Sequence, residues 1–231
     1  MSKEVLPGSC RGVYVKRLTN RIGAWHRRRY TGFTLIELIV VVGLILILTG
    51  LVLSTVGYAR KKAARVRAET EIAALSAACE SYKADNAVYP RDPTAGTATD
   101  TLDARTMGNP AAYQTASLVL YRALSGDRNL DRAITTADES LNIDGSALNP
   151  PLTQLPQTYF TFKPNMLSPA DQSQNVQFIR DPFGNSYGYS TANQYSSSTG
   201  YNPTFDLWST SALTATPGNP DTVTPQWIKN W

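Results

Sequence analysis

The sequence predicts an α+β protein in which one long N-terminal helix, apolar in its first half and amphipathic in its second, packs on a small antiparallel β-sheet. Three observations predict it. Nineteen consecutive residues from Leu38 to Val56 carry no charge, no proline occurs between Pro7 and Pro90, and beyond residue 90 short aromatic and β-branched runs are punctuated by Thr, Asp, Asn, Gly and Pro.

Charge divides the chain before any element is assigned. Residues 1–32 hold eight of the 22 Lys and Arg and one of the 18 acids, a local +7, whereas the remainder holds fourteen cations against seventeen acids, a net −3. The overall +4 therefore belongs to the N-terminal extension. A nucleic-acid partner is not expected, because its cationic patch should lie on the folded part. The single histidine, His26, and Cys10 lie in the same extension. Without it the chain has no imidazole and one thiol, which excludes His-assisted nucleophilic catalysis, Cys/His zinc sites and an internal disulfide.

Taken in order, the run LIVVVGLILILTGLVLSTV of residues 38–56 rises roughly 28 Å as a helix, close to a bilayer core. A cleaved secretory signal has a shorter apolar region and a small-residue cutting site after it. Here the run continues into charged helix-forming sequence, so it is read as a retained anchor. Its flanks, Arg27 to Arg29 and Arg60 to Arg67, are almost equally basic and favour a cytoplasmic N-terminus only slightly. The second flank has a bland explanation as a stretch facing water or anionic headgroups.

The segment ARKKAARVRAETEIAALSAACESYKADN is rich in strong helix formers, and Ile72, Leu75, Cys79 and Tyr82 recur at spacings that share one face. One helix is expected from about Thr34 to Asn86, about 80 Å long, with Cys79 as a small core residue. Gly43, Gly50 and Gly57 fall seven apart near one stripe, and Gly50 with Ser54 forms a small-xxx-small pair, as close helix contact in lipid requires. A shorter helix is predicted in AAYQTASLVLYRALSG, ended by Gly126. Strands are predicted in YFTFK, VQFIR, YGYS and FDLWS, with a turn at Asp181-Pro182-Phe183-Gly184-Asn185.

Two features bear on chemistry. Glu37 is a lone acid at the head of an apolar helix, costly in lipid by a few kcal/mol unless neutralised. The nearest candidate cation is an α-amino group on Phe33, if the chain is cut after Gly32; the plainer alternative is a carboxylate at headgroup depth. Asp127, Asn129 and Asp131, with Asp138 eleven residues after the first, echo the calcium loop D-x-[DN]-x-[DN]-G-x5-E, although Arg132 stands at the glycine and no Glu closes it. The plainer alternative there is a solvated acidic loop.

Arg29-Tyr30-Thr31-Gly32 followed by Phe33-Thr34-Leu35-Ile36-Glu37-Leu38 resembles the type IV prepilin signal. YKADNAVYP resembles the end of the long helix in the major, G-type pseudopilins of type II secretion systems, and DPFGNSYGY, FDLWS and Trp227-Ile228-Lys229-Asn230-Trp231 resemble their C-terminal sheet. The resemblance implies a pilin-like fold and cutting between Gly32 and Phe33 by prepilin peptidase, with N-methylation of Phe33. It further implies that Glu37 pairs with a neighbouring subunit's amine during assembly. Residues 1–32 are then a leader, 33–57 a transmembrane helix, 58–90 its amphipathic continuation, 91–179 an insertion that the compact pattern lacks, and 180–231 the C-terminal sheet region. The expected protein is no enzyme but a filament subunit in the inner membrane, with its C-terminal domain in the periplasm. Its partners would be copies of itself, other pseudopilins, membrane lipid and the inner-membrane secretion platform. Alternatives are a type IV pilus or competence pilin, or a membrane-anchored binding module. No cofactor is expected except calcium, which the family holds in its last loop; in STSALTATPGNPDTVTPQW the one acid retained is Asp221.

Overall fold

A computed structural model describes residues 32–211, 213 and 226–231. The chain divides into two compact units, one up to Gly50 and one from Leu51 onward.

The long helix, α1, runs Leu35–Asn86 and spans 52 residues. Within the first unit every apolar side chain from Leu35 to Leu48 is exposed, and the segment is long and apolar enough to cross a membrane. Within the second unit the predicted stripe is buried: Ile72, Leu75 and Cys79 are inside, and Tyr82 packs against them. The helix stops where its last carbonyls are satisfied. The Asn86 amide donates to the Tyr82 carbonyl at 2.9 Å, and Ala87 donates its N–H to Lys83 O at 2.8 Å while taking a left-handed φ of 62°.

The stripe is covered by elements from both the middle and the end of the chain. The short helix α2 is Ala98–Thr101 and α3 is Gln114–Ser125, the latter closed by Gly126 at φ 84° as its sequence predicts. Two strands, β1 (Leu167–Ser168) and β2 (Phe178–Ile179), pair antiparallel with Leu167 opposite Ile179. The larger sheet contains β3 (Gly188–Ser190), β4 (Asp206–Ser209) and β5 (Ile228–Lys229) in that spatial order, all antiparallel. Another short helix, α4 (Ala192–Tyr195), follows β3. The fold is α+β, as predicted.

Leu120 and Leu124 of α3, Ile179 of β2, and Tyr187, Tyr189 and Leu207 around the larger sheet meet the α1 stripe in one core. Residues between 91 and 179 therefore contribute to the same core as the C-terminal sheet. Ser117 of α3 accepts the Ile179 N–H at 2.8 Å with both groups buried, which pins the middle of the chain to β2. A bidentate clasp holds the loop after α1: Arg91 Nε and Nη2 reach Asp100 Oδ1 and Oδ2 at 2.8 and 2.7 Å. A second cluster gathers Leu102, Tyr113, Trp208 and Trp227, with Trp231 against it.

The strand runs VQFIR, YGYS and FDLWS each contain a strand, and the predicted turn is present, with Gly184 at φ 97°. YFTFK corrects the prediction. Tyr159 and Phe160 both donate their N–H groups to Leu124 O, at 2.7 and 2.9 Å, so this run tethers the end of α3 and forms no ladder. Its aromatic rings still pack on the core, which is why its composition mimics a strand.

Candidate functional site

At the head of α1 the chain forms a reciprocal cap. Thr34 Oγ1 accepts the Glu37 N–H at 3.3 Å, and Glu37 Oε2 accepts the Thr34 N–H at 2.9 Å and the Thr34 hydroxyl at 2.8 Å. This is a capping box, which satisfies orphan donors at a helix start through a Thr and a Glu three residues apart. Sequence reasoning singled out Glu37 and missed Thr34, although the T-x-x-E spacing was the signal that could have found it. Among the described residues, Oε1 of Glu37 makes no hydrogen bond, so half of the carboxylate remains available.

Gly32 and Phe33 lie immediately before this cap, outside the helix and exposed, with Phe33 81% exposed. The bond between them is accessible, and no Cβ on Gly32 would touch a neighbour within 4 Å. The same open space surrounds Gly43 and Gly50 in the first unit and Gly57 in the second, so each leaves a notch in the helix surface. Exposed Leu, Ile and Val side chains flank these notches and make the helix surface apolar.

The acidic loop after α3 is ordered by its carboxylates. Asp138, fully buried, accepts the N–H groups of Arg128 and Asn129 on Oδ1 at 2.7 and 2.9 Å, and the Thr135 N–H on Oδ2 at 2.8 Å. Asp127 Oδ2 accepts the Tyr121 hydroxyl at 2.7 Å and the Arg132 N–H at 2.8 Å. Arg132 takes a left-handed φ of 72° at the position where calcium loops place glycine. Asp131 caps its own turn through the Ala133 N–H at 2.9 Å, and Asn129 reaches Asp131 at 2.9 Å. A closing ligand at Asp138 would have to abandon three N–H donors, so this set does not fit calcium. Among the described residues no group of three or more His, Cys, Asp or Glu is placed to hold a metal. Asp221 lies outside the described residues.

Several buried groups carry displaced proton affinities. Burial pushes the Asp127, Asp181 and Asp206 carboxyls above their usual range, against hydrogen bonds that pull each of them down. Burial also acts to raise Asp100, but the Arg91 fork, the Gly96 N–H and the Thr191 hydroxyl outweigh it and leave that carboxyl low. The Cys79 thiol is pushed up by burial and sits in the core, in keeping with a packing role.

Comparison with known proteins bears on the head of α1. Residues 27–53 match the prokaryotic N-terminal methylation motif. The chain is 44% identical over 63 residues to the type II secretion system core protein G of Vibrio cholerae, covering 27% of this chain and 43% of that protein. It is 41% identical over 64 residues to the protein of the same description from Aeromonas hydrophila, covering 28% of this chain and 45% of the relative. The match thus spans less than half the length of these curated relatives, and no solved structure matches the chain. The resemblance carried by residues 29–38 is shown by these findings: the chain bears a type IV pilin-type methylation motif, and a segment of it is similar to core protein G.

Proposed function

We propose that this chain is a structural subunit of a type II secretion pseudopilus. In this reading residues 1–32 are a leader, prepilin peptidase cuts between Gly32 and Phe33 and methylates the new amine, and residues 33–57 hold the product in the inner membrane with the C-terminal part in the periplasm. The subunit then polymerises with its own kind and with other pseudopilins, against the secretion platform of the inner membrane, and performs no chemistry itself.

The observation that carries the proposal is the placement of Glu37. Fourteen Leu, Ile and Val residues between positions 38 and 56 favour insertion by about 6 kcal/mol at ~0.3 to 0.6 each, against about 3 kcal/mol for one carboxylate at the bilayer centre. The anchor therefore inserts without Glu37 being neutralised. Its charge is free to serve selection of a neighbour: Oε2 stays in the Thr34 box, and Oε1 is open to an amine on another copy's Phe33. In a low-dielectric bundle two opposite charges offset each other's burial only when they meet, so one axial stagger is favoured over the rest. The exposed apolar face and the glycine notches supply contact without direction.

Substitution separates cap from charge. Glu37→Gln keeps an acceptor for the capping box and loses the charge, whereas Glu37→Ala loses both. Both variants should reside in the membrane with an intact C-terminal part and fail to assemble. Crosslinking through cysteines placed along residues 38–56 tests this, and an unchanged ladder of adjacent-copy crosslinks in Glu37→Gln would sink the charge-pairing role. Intact mass spectrometry of the membrane-extracted protein tests the processing: a mature chain should begin at methylated Phe33, and Gly32→Val should accumulate precursor. Normal processing of Gly32→Val refutes the cut site.

A further inference from the structure

Just beyond the apolar run, the second unit carries a cavity of about 600 Å³ lined on one side by α1 and on the other by chain from the C-terminal region. Tyr58, Lys61, Lys62 and Arg65 provide the helix wall, and Phe183 and Gln226 the opposite one. Positions 61 and 62 each stand three or four residues from 58 and from 65, so all four side chains reach the same side of the helix. We propose that this cavity binds the phosphodiester headgroup of an anionic phospholipid.

Depth is the first argument, and it rests on the anchored reading given above. Lys61 and Lys62 lie five and six residues past Val56, which is about 7 to 9 Å of helix rise. A bilayer's polar region adds roughly 5 to 8 Å on each side of its hydrocarbon. Their backbone thus stands at the outer rim of that layer, and long helix side chains lean back toward the N-terminus, which brings both ammonium groups to the level of the lipid phosphates. Tyr58, 73% exposed, lies between them and the apolar run, where an amphipathic ring is at home.

Charge and preorganisation supply the second argument. Lys61 and Lys62 are exposed and have no hydrogen bond or ion pair among the described residues. Arg65 differs: its Nη1 donates to Gln226 O at 3.0 Å and its Nε lies 3.3 Å from Glu69. It is thus tied into the wall, joining α1 to the C-terminal segment beside the two exposed amines. Phe183 gives an apolar floor from a turn more than a hundred residues away. A plain basic stretch on a helix would attract an anionic surface without preference for a site. Here folding sets a second wall beside the amines, so a single headgroup can seat between α1 and the C-terminal chain.

The test uses the mature full chain in nanodiscs of phosphatidylcholine alone or with an equimolar share of phosphatidylglycerol, with retained lipids counted by native mass spectrometry. Failure of the chain to enter nanodiscs overturns the anchored reading itself and is seen before any lipid is counted. Once the chain is embedded, phosphatidylglycerol should be retained over phosphatidylcholine by about tenfold or more, as two surface cations allow. Lys61→Gln with Lys62→Gln should abolish that preference, and the paired Arg substitutions should restore it. Both are exposed helix positions occupied by good helix formers, so helicity by circular dichroism should not change. Equal retention of the two lipids, or a preference that survives the paired Gln substitutions, overturns the inference. Release of the phosphatidylglycerol by an equal concentration of inorganic phosphate shows a general phosphate pocket and overturns the lipid assignment. Loss of lipid preference on assembly, with Lys61 crosslinked to an acid of a second copy, shows a subunit contact and overturns it too.

Discussion

Gly188→Ala should unfold the C-terminal sheet at markedly lower temperature. Gly188 of β3 faces Trp208 of β4 across the ladder, and a Cβ there would lie 2.1, 2.3 and 2.6 Å from three atoms of the indole. Carbon atoms pack at about 3.5 Å or more, so the ring would have to retreat by about 1.4 Å. It has little room: Trp208 is fully buried, with Tyr113 edge-on at 5.1 Å, Trp227 parallel at 6.3 Å and Trp231 edge-on at 5.9 Å between ring centroids. Overpacking of a dense core costs about 1 to 3 kcal/mol, and expelling a tryptophan about 3 to 5. The gain from replacing glycine in a strand offsets under about 1 kcal/mol. The net expectation is about 3 kcal/mol, or roughly 6 to 12 °C for a chain of this size. Thermal unfolding of the detergent-solubilised full chain, followed by tryptophan fluorescence, measures it. Repeating the substitution in Trp208→Leu should shrink the loss to under about 1 kcal/mol, because the obstructing ring is gone. A Gly188→Ala melt within about 1 °C of the parent, or an equal loss in both backgrounds, refutes the packing argument.

Asp100→Ala should destabilise by about 2 to 3 kcal/mol, since it strands the Arg91 fork together with the Gly96 and Thr191 donors; urea unfolding checks this, and no change would show the clasp to be idle. Stability should rise as pH falls from neutral through the raised values of Asp127, Asp181 and Asp206, because the folded chain takes up protons there before the unfolded chain does. Below the ordinary Asp value near 4 the low-lying Asp100 reverses the trend, as its carboxylate is protonated and its contribution is lost; melting midpoints across acidic pH report both limbs. Asp138→Ala should cost about 3 kcal/mol by stranding three backbone donors, equally in calcium and in chelator. A calcium-dependent melting shift that disappears in Asp131→Asn would instead make this loop a metal site.

Much of this architecture was legible because it rests on periodicity. The stripe of Ile72, Leu75 and Cys79 is written at helical spacing, and that face is buried. FDLWS and YGYS contain strands where aromatic runs meet turn residues, since those side chains suit a pleated, covered surface. YFTFK misled because aromatic burial has the same composition whether the backbone pairs in a ladder or ties to the Leu124 carbonyl. The acidic loop is ambiguous for a related reason. Asp and Asn spacing that can surround a cation can equally collect N–H donors, and only the fold shows that Asp138 turns toward Arg128, Asn129 and Thr135. The Thr34 box was written in the sequence, yet a lone acid in an apolar helix draws attention to its charge before its role as a cap.

The brevity of the sheet bears on how copies of this chain avoid one another in the wrong way. Among the described residues its outer strands are three residues at β3 and two at β5, and the turn leaving β3 is occupied, Thr191 donating its N–H to Thr99 O at 2.8 Å. A growing cross-β stack needs a long run of unmet amides, and edges this short offer almost no template. In the proposed membrane-anchored subunit, adhesion then rests on a helix face that lipid shields until subunits gather. On that reading, crowding many copies into one small patch of membrane yields ordered growth with little danger of amyloid-like precipitation.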